Sequence, residues 1–371
     1  MARNAGESGP RSSRRAGRDG SVRSRQARST VAARSTVAAR SAVIGAVLGV
    51  ALLLSIVVAV TIGPADIRFG EVWASVGSHL GLGTSPLSVL RDGIVWELRL
   101  PRVLTAGAVG AGLAISGAVM QAITRNPLAD PYLLGLSSGA ALGAVAVLLL
   151  GAAILLPLAA FVGAMIALLL TLLLASSLGA ITPTRTVLAG LAVSSLASAI
   201  TSLVIFWTVT GDSYREILGW LLGSLAGARW PAVTIVVVAL VVAATPILAT
   251  GRLLDAFAFG DVAARALGVN VSATRWGLLA ASALLTGAMV SVSGAIGFVG
   301  LILPHAVRLM VGPGHRALLP LSALVGAIFL IWADTAARTL FDPRELPVGI
   351  VTAIIGAPVF AFLLARRRSQ T

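Results

Sequence analysis

"GAVMQAITRNPLADPYLLGLSSGAALG", residues 117–143, is the stretch on which the fold turns. Two polar, proline-marked dipeptides, Asn126-Pro127 and Asp130-Pro131, stand between two apolar runs. A soluble core would not hide such a segment, and a plain surface loop would not be flanked by so much Ala, Leu and Gly. Proline has no backbone N–H and disfavours helix in the residue before it, so the chain here is held in a turn. Irregular, polar backbone between long apolar runs is tolerated in a membrane protein where it lines a cavity.

The rest of the chain supports a membrane reading. Its 371 residues are 57% hydrophobic and 11% charged, with a mean hydropathy of +0.96. A soluble domain is about a quarter charged. Crossing a bilayer takes roughly 17–25 predominantly apolar residues. Such segments fall near 42–62, 102–122, 135–156, 158–178, 186–207, 231–250, 274–293, 296–311, 318–338 and 347–365. The expected fold is therefore all-α and polytopic, with about ten transmembrane helices. The first run, Ser41 to Thr61, exceeds the roughly 7–15 apolar residues of a signal peptide, which argues against a cleaved leader.

Charge sets the orientation. All 28 basic residues are arginine, and ten lie in the first 40 residues, against only Glu7 and Asp19. That stretch repeats "STVAARSTVAAR", shows no apolar period, and reads as a disordered, Arg-rich cytoplasmic tail over residues 1–40 that touches anionic lipid headgroups rather than nucleic acid. Residues 41–371 form the membrane domain. Arg366, Arg367 and Arg368 make the other end basic too, so both termini are expected inside, which requires an even number of spans. The remaining arginines fit this poorly, because Arg68, Arg91, Arg99, Arg102, Arg215, Arg229, Arg338 and Arg344 then fall outside. Outer arginines need a purpose that offsets the bias.

Several chemistries are excluded. With no cysteine there is no disulfide, thiolate metal site or Cys nucleophile. With no lysine there is no phosphate loop of the G-x-x-x-x-G-K-[ST] type, so ATP, if it drives this protein, is hydrolysed on another polypeptide. Three histidines, His79, His305 and His315, are too few for a metal hydrolase, and His305 reads as a helix-end residue. The carboxylates Asp130, Asp212, Glu216 and Asp334 could form a proton relay, but each lies near a span end or beside an arginine. Stripes of glycine at 135, 139 and 143, and at 219, 223 and 227, suggest close helix packing. Ser116-Gly117-Ala118 and Ser293-Gly294-Ala295 each precede a proline 11 residues after the serine, an echo that runs the same way in both halves and so is not an inverted repeat by itself.

One inner segment, "GRLLDAFAFGDVAARALGVNVSATRW" at 251–276, holds a short helix with Asp261 as N-cap and Gly268 just past its end. Under two turns of helix is not stable alone. Either it lies flat on the membrane or it plugs into a partner protein.

Three blocks carry a family resemblance: "ELRLPRVLTAGAVGAGLAISGAVMQAITRNPLADPYLLGLSSGAALG" from Glu97, "GAIGFVGLILPHAVRLMVGPGHRALLPLSALVGAIFLIWADTAAR" from Gly294, and "ELPVGIVTAIIGAPVF" from Glu345. From about Val43 to Leu364 the chain resembles the permease subunit of binding-protein-dependent ABC importers for iron–siderophores, haem and cobalamin. The resemblance implies ten helices with inverted-repeat character and a likeness-based set of partners: a second permease, as a homodimer around a central pathway, two copies of an ATP-binding subunit, and an extracytoplasmic substrate-binding protein. It implies a bacterial plasma-membrane location, no enzymatic activity in this chain, no cofactor bound by it, and ATP with Mg on the partner ATPase. The substrate expected is a ferric siderophore, with haem or cobalamin as alternatives; an ion-coupled secondary carrier is the rival class. By resemblance, Arg99, Arg102 and Arg338 dock the binding protein, Asn126 and Leu128 form a cytoplasmic gate with a second gate at Thr182–Arg185, and Asp261, Ala264, Arg265, Leu267 and Gly268 couple to the ATPase.

Overall fold

The computed structural model describes residues 39–177, 182–208, 213–341 and 344–368. The tail expected over residues 1–40 falls almost wholly outside these, as does Asp212. By internal packing the chain divides after Ala46: residues 39–46 are the described part of the first unit, and the second unit begins at Val47.

The described residues form fourteen helices in chain order: α1 Ala39–Thr61, α2 Phe69–His79, α3 Val89–Thr124, α4 Leu136–Leu149, α5 Leu156–Ser177, α6 Pro183–Thr208, α7 Ser213–Leu221, α8 Trp230–Ala249, α9 Gly251–Ala258, α10 Asp261–Ala266, α11 Val271–Ser293, α12 Val299–Val311, α13 His315–Thr339 and α14 Val348–Arg368. Seven of these, α1, α3, α5, α6, α8, α11 and α13, are long and apolar enough to cross a membrane. Three shorter apolar helices, α4, α12 and Val348–Leu363 of α14, coincide with the other three apolar segments of the sequence. The short helices α2 and α7 carry no apolar period long enough to announce them.

α3 is the axis of the packing. Its 36 residues are the most buried of the long helices, and α13, α11 and α12 pack along it. Lipid supplies no hydrophobic drive between helices, so close approach depends on small residues. A methyl group at Gly110 would collide with the Gly326 backbone of α13, and one at Gly117 with the Gly300 backbone of α12. Gly139 and Gly143 of α4 approach Gly163 and Ala159 of α5 in the same way, as their spacing foretold. The second stripe packs only at its middle: Gly219 and Gly227 face open space, while Gly223, which turns the chain with φ 78° after α7 ends at Leu221, lies against the Ala295 backbone.

Two irregular stretches among the described residues meet each other. α3 ends at Arg125, which takes the left-handed conformation with φ 51°, and the chain stays non-helical until the 3-10 turn Pro131–Leu134. The second break runs from Gly294 to Phe298 between α11 and α12, with Phe298 also left-handed at φ 69°. They meet: the Tyr132 hydroxyl donates to the Ile296 carbonyl at 3.1 Å and accepts the Ile296 N–H at 3.2 Å. A single phenol thus satisfies both backbone groups of a residue that no helix serves.

Candidate functional site

Three regions carry the polar chemistry of this apolar chain. At one end of the bundle the arginines Arg99 and Arg102 of α3 and Arg338 of α13 come together. They do not face outward. Their exposures are 4%, 8% and 3%. Arg102 donates from Nε and Nη2 to the two oxygens of Asp334, at 2.8 and 3.0 Å, and from Nη1 to Glu345 at 2.7 Å. Arg338 donates to the Ala59 carbonyl and to Thr335 Oγ1, and Arg99 donates to the carbonyls of Thr61 and Ala65, where α1 runs out. The resemblance implies a docking role for these arginines; within the chain their guanidinium groups bond to internal acceptors. The reason is energetic, since a buried charge without a partner is costly. Asp334, which the sequence sets one turn from Arg338, pairs with Arg102 across the helix interface instead. Glu345 is the exchangeable member of the cluster, its side chain 39% exposed against 1% for Asp334.

At the opposite end of α3 lies the proline turn. Asn126 is exposed and its Oδ1 accepts the Leu128 N–H at 3.0 Å, an Asx turn that fixes the entry to the break. Asp130 Oδ1 caps the next turn by accepting the Tyr132 N–H at 2.8 Å. Burial pushes the Asp130 carboxyl up to about 6, with the Tyr132 N–H bond holding it partly back. Leu128 and Pro127 border a small cleft with Leu301, Ile302 and His305 of α12 and Phe360 of α14. Of the two expected gate residues, Leu128 sits where the break meets α12 and α14, and Asn126 is exposed at the entry to the break.

The segment 251–276 folds as two short helices, α9 and α10, clipped to the long ones. Asp255 Oδ1 accepts the His315 N–H at 2.8 Å and lies 2.7 Å from His315 Nδ1, which ties α9 to the start of α13. Gly260, not Asp261, is the N-cap of α10. The Asp261 carboxylate instead receives Arg275 Nη2 of α11 on both oxygens, at 2.9 and 3.0 Å, and stands 3.9 Å from Arg125. A salt bridge to a buried guanidinium outcompetes the local cap. Gly268 does end α10 as expected, with φ 82° and its N–H on the Arg265 carbonyl. Ala264 is fully buried against Ala256, Phe257 and Val271, so it anchors the segment rather than facing a partner. What faces outward is an apolar ridge: Phe259, Val262 and Leu267 are 77%, 79% and 69% exposed, with Arg265 exposed beside them.

These parts converge. Arg125 of the turn, Thr182 and Thr184 at the start of α6, Asp261 and Arg265 of α10, and Arg275 of α11 line one cavity of about 840 Å³. Asp261 and Arg265 from the coupling set and Thr182 and Thr184 from the second gate thus border one space; Asn126 and Leu128 do not line it. The sequence reading missed this cavity, the Tyr132–Ile296 contact and the Asp255–His315 tie, because each joins residues far apart in the chain.

Comparison with known proteins matches this architecture. The family model described as the FecCD transport family matches residues 33–366. The cobalamin import system permease protein BtuC of Halobacterium salinarum is 42% identical over 357 residues, covering 87% of this chain and 95% of that protein. The hemin transport system permease protein HmuU of Yersinia pestis is 40% identical over 336 residues, covering 87% of this chain and 96% of that one. A solved inward-facing conformation of a metal-chelate type ABC transporter superposes with a TM-score of 0.75 at 33% identity, over 87% of this chain and 99% of that chain. The chain is therefore an ABC transporter permease and belongs to the FecCD transport family.

Proposed function

We propose that this chain is the membrane subunit of an ATP-driven importer that carries a large metal chelate inward, working as one of two permease copies over two ATPase subunits. The observation that carries the reading is the ridge on the inner segment. Three large apolar side chains stand on or just past two short helices that cannot persist alone, and the segment is braced by Asp255–His315 and Asp261–Arg275. A braced, outward-facing apolar ridge fits insertion into a partner and transmits force, since its clips lead to α13, α11 and the gate turn. Closure of an ATPase beneath it would then rock the long helices and open the break at Asn126–Leu128.

The substrate class follows the relatives. Cobalamin and haemin are what BtuC and HmuU are named for, and a ferric siderophore is likewise a chelated metal. The ten-span count with both termini inside suits the ten apolar helices. Docking of a binding protein would run through the rim at Glu345, where an incoming carboxylate could exchange for the half-exposed one on Arg102. Of the carboxylates an ion-coupled reading would need, Asp334 is held by Arg102.

The test is co-purification. Val262→Asp and Leu267→Asp change exposed positions and should leave the chain folded while removing a co-expressed ATPase subunit from it. Retention of that subunit by both variants would refute the ridge as the coupling surface.

A further inference from the structure

The cavity behind the ridge has an excess of positive charge that the chain does not neutralise. Three guanidinium groups reach it from three different elements: Arg125 from the end of α3, Arg265 from α10 and Arg275 from α11. One carboxylate, Asp261, answers them, which leaves a formal charge of +2 in that space (three Arg minus one Asp). Arg275 is 8% exposed, and its Nη2 is bound to Asp261. Arg125 is only loosely held, 3.9 Å from Asp261.

The remaining wall suits an oxyanion. Ser272 and the hydroxyls of Thr182 and Thr184 supply neutral donors, and the positive end of α11 opens into the same space, with Asn270 as its cap. Guanidinium forks match tetrahedral phosphate oxygens in bidentate geometry, and three of them from separate elements match a group with several equivalent oxygens better than a flat carboxylate. The volume of about 840 Å³ exceeds a bare phosphate and leaves room for what the phosphate is attached to. Trp276, on the rim and 37% exposed, is the residue type that settles at headgroup level.

We propose that this cavity is a phosphate-binding site, filled by the headgroup of an anionic phospholipid or by a soluble phosphate ester. A phosphate there would lie against Arg125 of the gate turn and Arg265 of α10 at once, and so would hold the turn and the inner segment together. Binding itself does not depend on the transport reading.

The experiment uses the full chain in phosphatidylcholine nanodiscs, with phosphatidylglycerol added in one arm and inorganic phosphate titrated in the other. Native mass spectrometry counts retained lipid, and thermal shift follows phosphate. Arg125→Gln and Arg265→Gln remove exposed side chains and should each weaken binding about tenfold, while Arg252→Gln, basic but outside the cavity, should bind as the unaltered chain does. Phosphatidylglycerol retained without a phosphate response assigns the lipid headgroup; a saturable phosphate response without retained lipid assigns the soluble ester. Failure of both probes to bind, or equal binding by all three variants, would overturn the proposal.

Discussion

Replacing Asp334 with alanine is the sharpest perturbation of the buried charge cluster. Asp334 is 1% exposed and receives two hydrogen bonds from Arg102, itself 8% exposed. Removing one partner of a buried pair typically costs about 3–5 kcal/mol, because the other charge is left buried and unpaired. Glu345 can retain one nitrogen of Arg102 but cannot reach the other two donors' positions without leaving solvent, so most of that cost should appear. For a chain of this size a kcal/mol corresponds to about 1–3 °C in Tm, giving a loss of about 3–15 °C. Glu345→Gln, at a half-exposed site, should cost no more than about 1 kcal/mol. The double variant Arg102→Met with Asp334→Leu should recover part of the loss, since Arg102 is then no longer stranded, while the buried Arg338 still loses the favourable charge of Asp334. Thermal unfolding of the detergent-purified variants, followed by tryptophan fluorescence, measures all three. A Tm for Asp334→Ala within 2 °C of the unaltered chain, or a double variant as unstable as the single one, would refute the reasoning.

Other outcomes follow from the same geometry. Gly110→Ala forces a methyl group into the Gly326 backbone, and overpacking of this kind should cost about 1–3 kcal/mol, read as a lowered Tm, whereas Gly219→Ala faces open space and should be neutral. Asp130→Asn keeps the acceptor for the Tyr132 N–H but removes the ionisation. The native carboxyl, at about 6, holds its proton above its ordinary value of 3.8, so stability is lost as pH rises through that window. The asparagine variant should therefore match the unaltered chain near pH 4 and exceed it by about 1–3 kcal/mol above pH 6, the lower figure allowing for its partial exposure; a pH series of Tm values shows this, and equal midpoints at pH 7 would contradict it. Ala264→Pro removes the N–H that bonds the Gly260 carbonyl and strains the buried packing of α10, and should uncouple ATP hydrolysis from uptake in a reconstituted assembly.

Much of the fold is readable in the linear chain because lipid imposes a simple rule: a helix must be long and apolar to cross. The ten apolar segments, the break at Asn126-Pro127 and the end of α10 at Gly268 all follow from composition, proline chemistry and glycine's tolerance of positive φ. The small-residue stripe at 139 and 143 was legible for the same reason, while the one at 219, 223 and 227 packs only at Gly223, because its spacing crosses a helix end. The site was legible only in part. Arg99, Arg102 and Arg338 stand out in sequence as outer arginines, yet exposure is a property of packing, and their partners Asp334, Ala59 and Thr61 lie on other helices. Asp261 looked like a cap because Arg275, fourteen residues on, has no local signature as its partner. Tyr132 and Ile296 are 164 residues apart, and nothing in either neighbourhood announces that one phenol serves both backbone groups.

The central claim is that this chain is a conduit driven from the inner side by an engine on other polypeptides. It is tested most directly by chelate uptake into sealed proteoliposomes holding the chain with its ATPase subunit and binding protein, against liposomes holding the chain alone. Uptake that requires all three components and ATP, and stops when the ATPase is omitted, is the predicted result. Uptake by the chain alone on an imposed proton gradient would contradict it.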